Sequence, residues 1–174
     1  MWNAYYKIVE NFGPEDGDRW KRYLYWRGLN LTKFDSADAI LRPDLFAPDS
    51  DEDWQHCLNE NFKLSIITDL DYARRILKRY GNSVLIGVEI EIEEGYAPKA
   101  KFLGYDIIDG YCDVSLITNW GTDDEGLINN HVMFNGLISD QVQVFKIRNK
   151  LRADYPEDSH AEACEVWAIY EVST

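Results

Sequence analysis

Hydrophobic positions along this 174-residue chain change period several times, and the changes mark its elements. In "SIITDLDYARRIL" (65–77) and just beyond, Leu70, Ala73, Ile76, Leu77 and Tyr80 recur at helical spacing. Arg74, Arg75, Lys78 and Arg79 take the intervening positions, which predicts an amphipathic helix with a basic C-terminal end. Thr68 followed by Asp71 has the form of an N-terminal capping box, and Gly81 with Asn82 ends the helix. The apolar, β-branched "FKLSIIT" (62–68) before it suits a short buried strand. After it, "SVLIGVEIEIEE" (83–94) alternates with period two. Val84, Ile86, Val88, Ile90 and Ile92 share one face, and Leu85, Gly87, Glu89, Glu91 and Glu93 the other.

The same order recurs downstream. "FNGLIS" (134–139) predicts a strand, Ser139 stands where Thr68 stood, and Val144, Ile147 and Leu151 form the helical stripe. Asp140 and Ile147 each follow their counterparts, Asp69 and Ile76, by 71 residues. The helix should end before Pro156, which neither continues a helix nor lets its neighbour do so. "YPEDSHAEA" (155–163) is an insertion relative to the first copy, and "CEVWAIYEV" (164–172) is the closing strand. Upstream, "RYLYWRGLNL" (22–31) and "KFLGYDIID" (101–109) both predict strands. "YCDVSLIT" (111–118) predicts another, with "FDSADAIL" (34–41) its weaker counterpart, and "WQHCLNEN" and "GLINNHVM" each predict a helical turn.

These patterns predict one α+β domain over 1–174, built from two duplicated strand–helix–strand halves at 20–94 and 100–174. An element at 1–19 is appended before them. The sheet is mixed or antiparallel, with the helices on one face. "EEGYAPKA" (93–100) is short enough to be a connection within the domain.

Charge changes the picture more than composition does. Hydrophobic residues at 45% are ordinary, but 31 acidic against 18 basic residues give a net charge of −13. Such a surface repels nucleic acid and anionic membranes and attracts basic partners. Three separated cysteines, Cys57, Cys112 and Cys164, without a paired spacing, fit a reducing compartment. With no signal-like opening and no long apolar run, the expectation is a cytoplasmic protein that does not enter membranes.

Candidate chemistry is sparse. His56, His131 and His160 have no His or Cys at ligand spacing, and all three cysteines read as buried core, with Cys57 and His131 a nucleophile pair only if the fold brings them together. "GTDDEG" (121–126) carries too many acids for a phosphate loop and lacks the ligand spacing of a calcium loop. No metal, cofactor or catalytic residue is predicted. Interest falls on the acidic runs Asp49, Asp51, Glu52, Asp53 and Asp123, Asp124, Glu125, each beside a tryptophan, Trp54 and Trp120. Acids flanking an exposed aromatic are suited to hold a basic protein partner.

Two resemblances follow from these residues. A small, acidic, aromatic-rich α+β chain with no catalytic signature resembles bacterial immunity proteins. That likeness implies a non-catalytic inhibitor that neutralises a basic partner such as a toxin. Separately, "YWRGL", "SIIT" and "VEIEIEEG" resemble the Arg, Ser/Thr and Glu-x-Glu strands of ADP-ribosyltransferases. This implies an alternative in which Arg27 and Ser65 or Thr68 hold NAD and Glu91 is catalytic. A third expectation is a structural or phage-type interaction protein.

Overall fold

The computed structural model describes residues 4–11, 21, 28–59, 63, 65–92, 101–120 and 126–173. Four strands form one antiparallel sheet: β1 (Tyr5–Glu10), β2 (Ser83–Ile90), β3 (Phe102–Ile108) and β4 (Glu165–Glu171), in the order β1-β2-β4-β3. Five α-helices accompany it among the described residues: α1 (Asp51–Gln55), α2 (Leu70–Leu77), α3 (Leu116–Asn119), α4 (Gln141–Asp154) and α5 (Ser159–Glu162). A 3-10 turn spans Asn129–His131, inside the stretch expected to turn helically. The chain is therefore α+β. None of the described helices is long and apolar enough to cross a membrane.

Strand alternation sorts the sheet into two faces. On one, Ile8, Leu85, Val166, Ala168, Tyr105 and Ile107 pack against Tyr72, Ala73 and Ile76 of α2 and Val144, Ile147 and Leu151 of α4. Each such aliphatic side chain contributes roughly 1.5–3 kcal/mol on burial. The helices therefore share one face, as expected. On the other face, Val9, Ile86, Val88, Ile108, Trp167 and Ile169 are covered by irregular chain carrying Ala37, Ile66 and Leu137.

Pairing register is regular about the middle of the sheet. Val88 faces Ile169 at the centre. Ile8 faces Leu85 on one side and Ile107 faces Val166 on the other. Each outer strand also meets the segment leading into the neighbouring helix. Tyr6 exchanges backbone hydrogen bonds of 2.8 Å with Ile67, and Tyr105 exchanges bonds of 2.7 and 2.9 Å with Ile138.

Several expectations need correction. The N-terminal element supplies an outer strand of the sheet, Tyr5–Glu10. The stretches at 65–68 and 134–139 make isolated bridges rather than strands. Residues 28–31 and 34–41 are irregular too, and the Asp38 carboxylate accepts from the amides of Ile40 and Leu41, closing a turn there. The predicted strand at 111–118 is a turn followed by α3: Asp109 Oδ1 accepts from Tyr111 N, Asp113 has φ 52°, and Ser115 caps the helix. Each capping residue is the aspartate after the expected hydroxyl. Asp69 accepts from Tyr72 N and Asp140 from Gln143 N, while Thr68 Oγ1 donates to His56 O. Helix α4 ends at Asp154, ahead of Pro156 as expected. The residues of the predicted 22–31 strand that precede Gly28 lie outside the described residues.

Candidate functional cleft

The last turn of β3 runs into a tight loop, and that loop starts the site. Asp109 follows Ile108, with its N–H donating to Val114 O at 2.9 Å and its Oδ1 accepting from Tyr111 N at 2.7 Å. Both interactions hold the carboxylate still beneath residues 110–112. Across from it, the connection between α4 and β4 folds into α5 because Asp158 caps it, accepting from His160 N and Ala161 N. Gly110 seats these two segments on each other. A Cβ there would stand 2.4 Å from Ala163 O, so only glycine permits the contact.

The result is a cleft of about 590 Å³, within the range of small-ligand and side-chain pockets. Ile40, Val114, Leu116, Trp120 and Tyr155 wall it. Trp120 meets Tyr155 edge to face, with ring centroids 4.9 Å apart. Asp109, Cys112, Asp158 and His160 supply its polar groups. His160 Nδ1 is hydrogen-bonded to Asp109 Oδ2. A carboxylate accepts, so Nδ1 is the donor of this contact. Donor atoms of Asp109, Cys112 and His160 all lie within 4.8 Å of one another. Asp109 is buried (side chain 3% exposed), whereas His160 is 53% exposed and Cys112 is exposed. Burial pushes the Cys112 thiol above its ordinary pKa, and the Asp109 and Asp113 carboxylates push it further. The cleft therefore offers oxygen, nitrogen and sulfur donors in a negative setting.

Of the residues singled out in the sequence, Trp120 lies in this cleft. Asp123, Asp124, Glu125 and Arg27 lie outside the described residues, as does Glu93. The first acidic run is a helix, not a loop: Ser50 and Asp53 form the capping box of α1. Asp53 is buried there, receives the Tyr72 hydroxyl, and accepts from Asp49 N and Ser50 N at 3.1 Å. The Tyr72 hydroxyl holds its carboxyl well below the usual range, and Asp53 in turn pushes Asp49 up. Glu52 pairs with Arg75 at 2.6 Å. Asp49 and Asp51 are exposed, and Trp54 is 42% exposed. Helix α1 sits by α2 and the β1 edge, while Trp120 sits by β3, so the two tryptophans stand at opposite edges of the sheet.

The expected row of carboxylates on β2 does not form. Glu89 is buried and accepts from Tyr170 Oη at 2.9 Å. Glu91, at φ 50°, breaks the alternation and accepts from Arg148 at 2.8 and 3.0 Å and from Val166 N at 3.0 Å. Ser65 donates to Asp44 at 2.8 Å.

Cys112 was read as core from its spacing to Val114 and Leu116; the turn held by Asp109 places it outside instead. His160 and Cys112 come from segments 48 residues apart, so no local spacing announced them. The one signal in the sequence was the stretch 155–163, which the first strand–helix–strand pattern does not contain. No protein-family model, curated protein or solved structure matches this chain.

Proposed function

We propose that this protein is a non-catalytic, acidic binding protein that engages a basic partner protein at the cleft beside Trp120, in the manner of an immunity-type inhibitor of a toxin. The observation that carries the reading is a concave wall of Trp120, Tyr155 and Ile40 set over carboxylates, in a chain of net charge −13. A lysine or arginine side chain has the matching form, an apolar stem with a cationic head. Charge of this sign also speeds encounter with a basic partner and makes binding salt-sensitive.

The two halves read best as copies of one unit, and this supports placing function in the second. The mirrored register, the matched Tyr6–Ile67 and Tyr105–Ile138 bridges, and the matched aspartate caps of α2 and α4 favour duplication. The copies differ most between helix and closing strand, where the second has gained Tyr155, Asp158 and His160. An ADP-ribosyltransferase-like activity would first have to free Glu91 from Arg148.

The test is titration of the purified protein with the product of the adjacent gene, at low and high salt. The expected result is binding that weakens with salt. Trp120→Ala and the exposed-site variant Ile40→Lys should each weaken it by about tenfold or more, the scale of an interface hot spot. Salt-insensitive binding, or an adjacent gene that encodes no toxin, counts against the reading.

A further inference from the structure

The geometry points to a second property of the same cleft: we propose that Asp109, Cys112 and His160 form a binding site for a divalent transition-metal ion of the zinc class. The argument is independent of any protein partner. A carboxylate oxygen, an imidazole nitrogen and a thiol sulfur are the three donor types that zinc takes from proteins. Their mutual separation, within 4.8 Å, is close to what a shared ion needs. Ligands around a tetrahedral ion with bonds of about 2.0–2.3 Å stand roughly 3–4 Å apart. Closing the remaining distance falls to Cys112 and His160, which are exposed and have room to turn.

Two of the three donors sit on an ordered framework. Asp109 is buried and fixed by Tyr111 N. The backbone of His160 is held by the Asp158 cap. Fixing of this kind orients metal ligands before the ion arrives. When the ion binds, the thiol gives up its proton, and the proton held between Asp109 and His160 is displaced; both leave to solvent. Three protein ligands leave a fourth position, which opens into the space walled by Trp120 and Tyr155. Water or a donor group of the cleft's occupant would complete the set, as at zinc sites that keep an open position. A thiol nucleophile is the competing use of these residues. His160 stands close enough to serve such a nucleophile as a base, but the Asp109 and Asp113 carboxylates raise the thiol and oppose the free thiolate it would use.

The probe is the metal alone. Chelator-treated protein is titrated with Zn(II) by calorimetry and with Co(II) by absorption spectroscopy. One ion per chain is expected, with a thiolate-to-cobalt charge-transfer band. Cys112→Ser should abolish that band, since Cys57 and Cys164 are buried and do not line the cleft. Cys112→Ser and His160→Gln should each weaken Zn(II) binding by about tenfold or more, the scale seen when a site's ordering contacts are lost. Both replace exposed side chains, and an unchanged melting temperature without metal confirms that they fold. Absence of saturable binding at one ion per chain overturns the proposal. Binding that both variants retain at wild-type strength also overturns it, by placing the ion elsewhere. Neither result bears on binding of a basic protein, so the two readings fail separately.

Discussion

Lys7 and Asp106 occupy the same register in the two outer strands, and the fold treats them differently. Lys7 pairs across β1 with Ile86, and Asp106 pairs across β3 with Trp167, so both point to the face covered by irregular chain. Both are fully buried. Lys7 is met by charge: Asp44 at 3.1 Å, Asp113 at 3.5 Å, and the Trp167 ring with its centroid 5.4 Å away. Asp106 is met by neutral donors. Its Oδ1 accepts from Ser115 Oγ at 2.5 Å and Ile107 N at 2.9 Å, and its Oδ2 accepts from Ser36 Oγ and Ala37 N. A hydroxyl can accept from a protonated acid as well as donate to an ionised one, whereas the carboxylates around Lys7 meet it with opposite charge. The β1 edge of the sheet thus buries an ion cluster, and the β3 edge buries an acid able to be neutral.

Removing Lys7 breaks that comparison hardest. Lys7→Met keeps the apolar stem but leaves Asp44 and Asp113 facing each other without their shared cation. Loss of one partner from a buried cluster costs roughly 3–5 kcal/mol. Urea denaturation of wild type and variant at neutral pH measures it directly. A loss below about 1 kcal/mol would mean that water reaches these carboxylates and that the cluster is not a dry one.

Asp106 gives the second test, and its sign follows from burial. Desolvation dominates and pushes its pKa up from 3.8 to about 6, against the lowering effect of the Ser115 and Ser36 hydroxyls. Its favourable contribution to folding is therefore fully present below about pH 4 and is lost as pH rises through 6. Asp106→Asn removes the titration. The stability of the variant relative to wild type should then climb between pH 4 and 6, by up to about 3 kcal/mol, and stay level outside that window. A flat difference across the window would show that Asp106 is ionised throughout.

Much of this was legible in the chain, for definite reasons. The helices α2 and α4 and the strands β2 and β4 announced themselves because Ile76, Ile147, Val88 and Ile169 face one core each, and periodicity reports exactly one buried face. Tyr72 was missed because its hydroxyl reaches Asp53, a contact that spacing does not encode. β1 was read only as an appended element, since what holds it in the sheet includes the burial of Lys7 by carboxylates from distant loops. The cleft was hidden more completely. Trp120 was singled out for its acidic neighbours, but Asp109, Cys112 and His160 meet only after the insertion docks on the turn. The carboxylate row at Glu89 and Glu91 failed for a related reason: Tyr170 and Arg148, on other elements, take those oxygens.

That docking step can be tested with two glycines that differ only in what surrounds them. Gly81 lies in the five-residue connection between α2 and β2, and nothing stands within 4 Å of a Cβ added there. Gly110 lies against the ten-residue connection between α4 and β4, and the same Cβ meets a backbone oxygen. Gly81→Ala should leave stability unchanged or raise it by about 0.4–1 kcal/mol, because the unfolded chain loses freedom and the folded one loses nothing. Gly110→Ala forces the turn and the insertion apart and should cost about 1–3 kcal/mol, as overpacking does. The two melting curves separate a general glycine effect from a specific one. If Gly110→Ala also weakens Co(II) binding while Gly81→Ala does not, the insertion is what assembles the cleft. If both variants melt like wild type, α5 rests on the turn too loosely to hold His160 over Asp109, and the short connection of the first half is then no poorer a platform than the long one of the second.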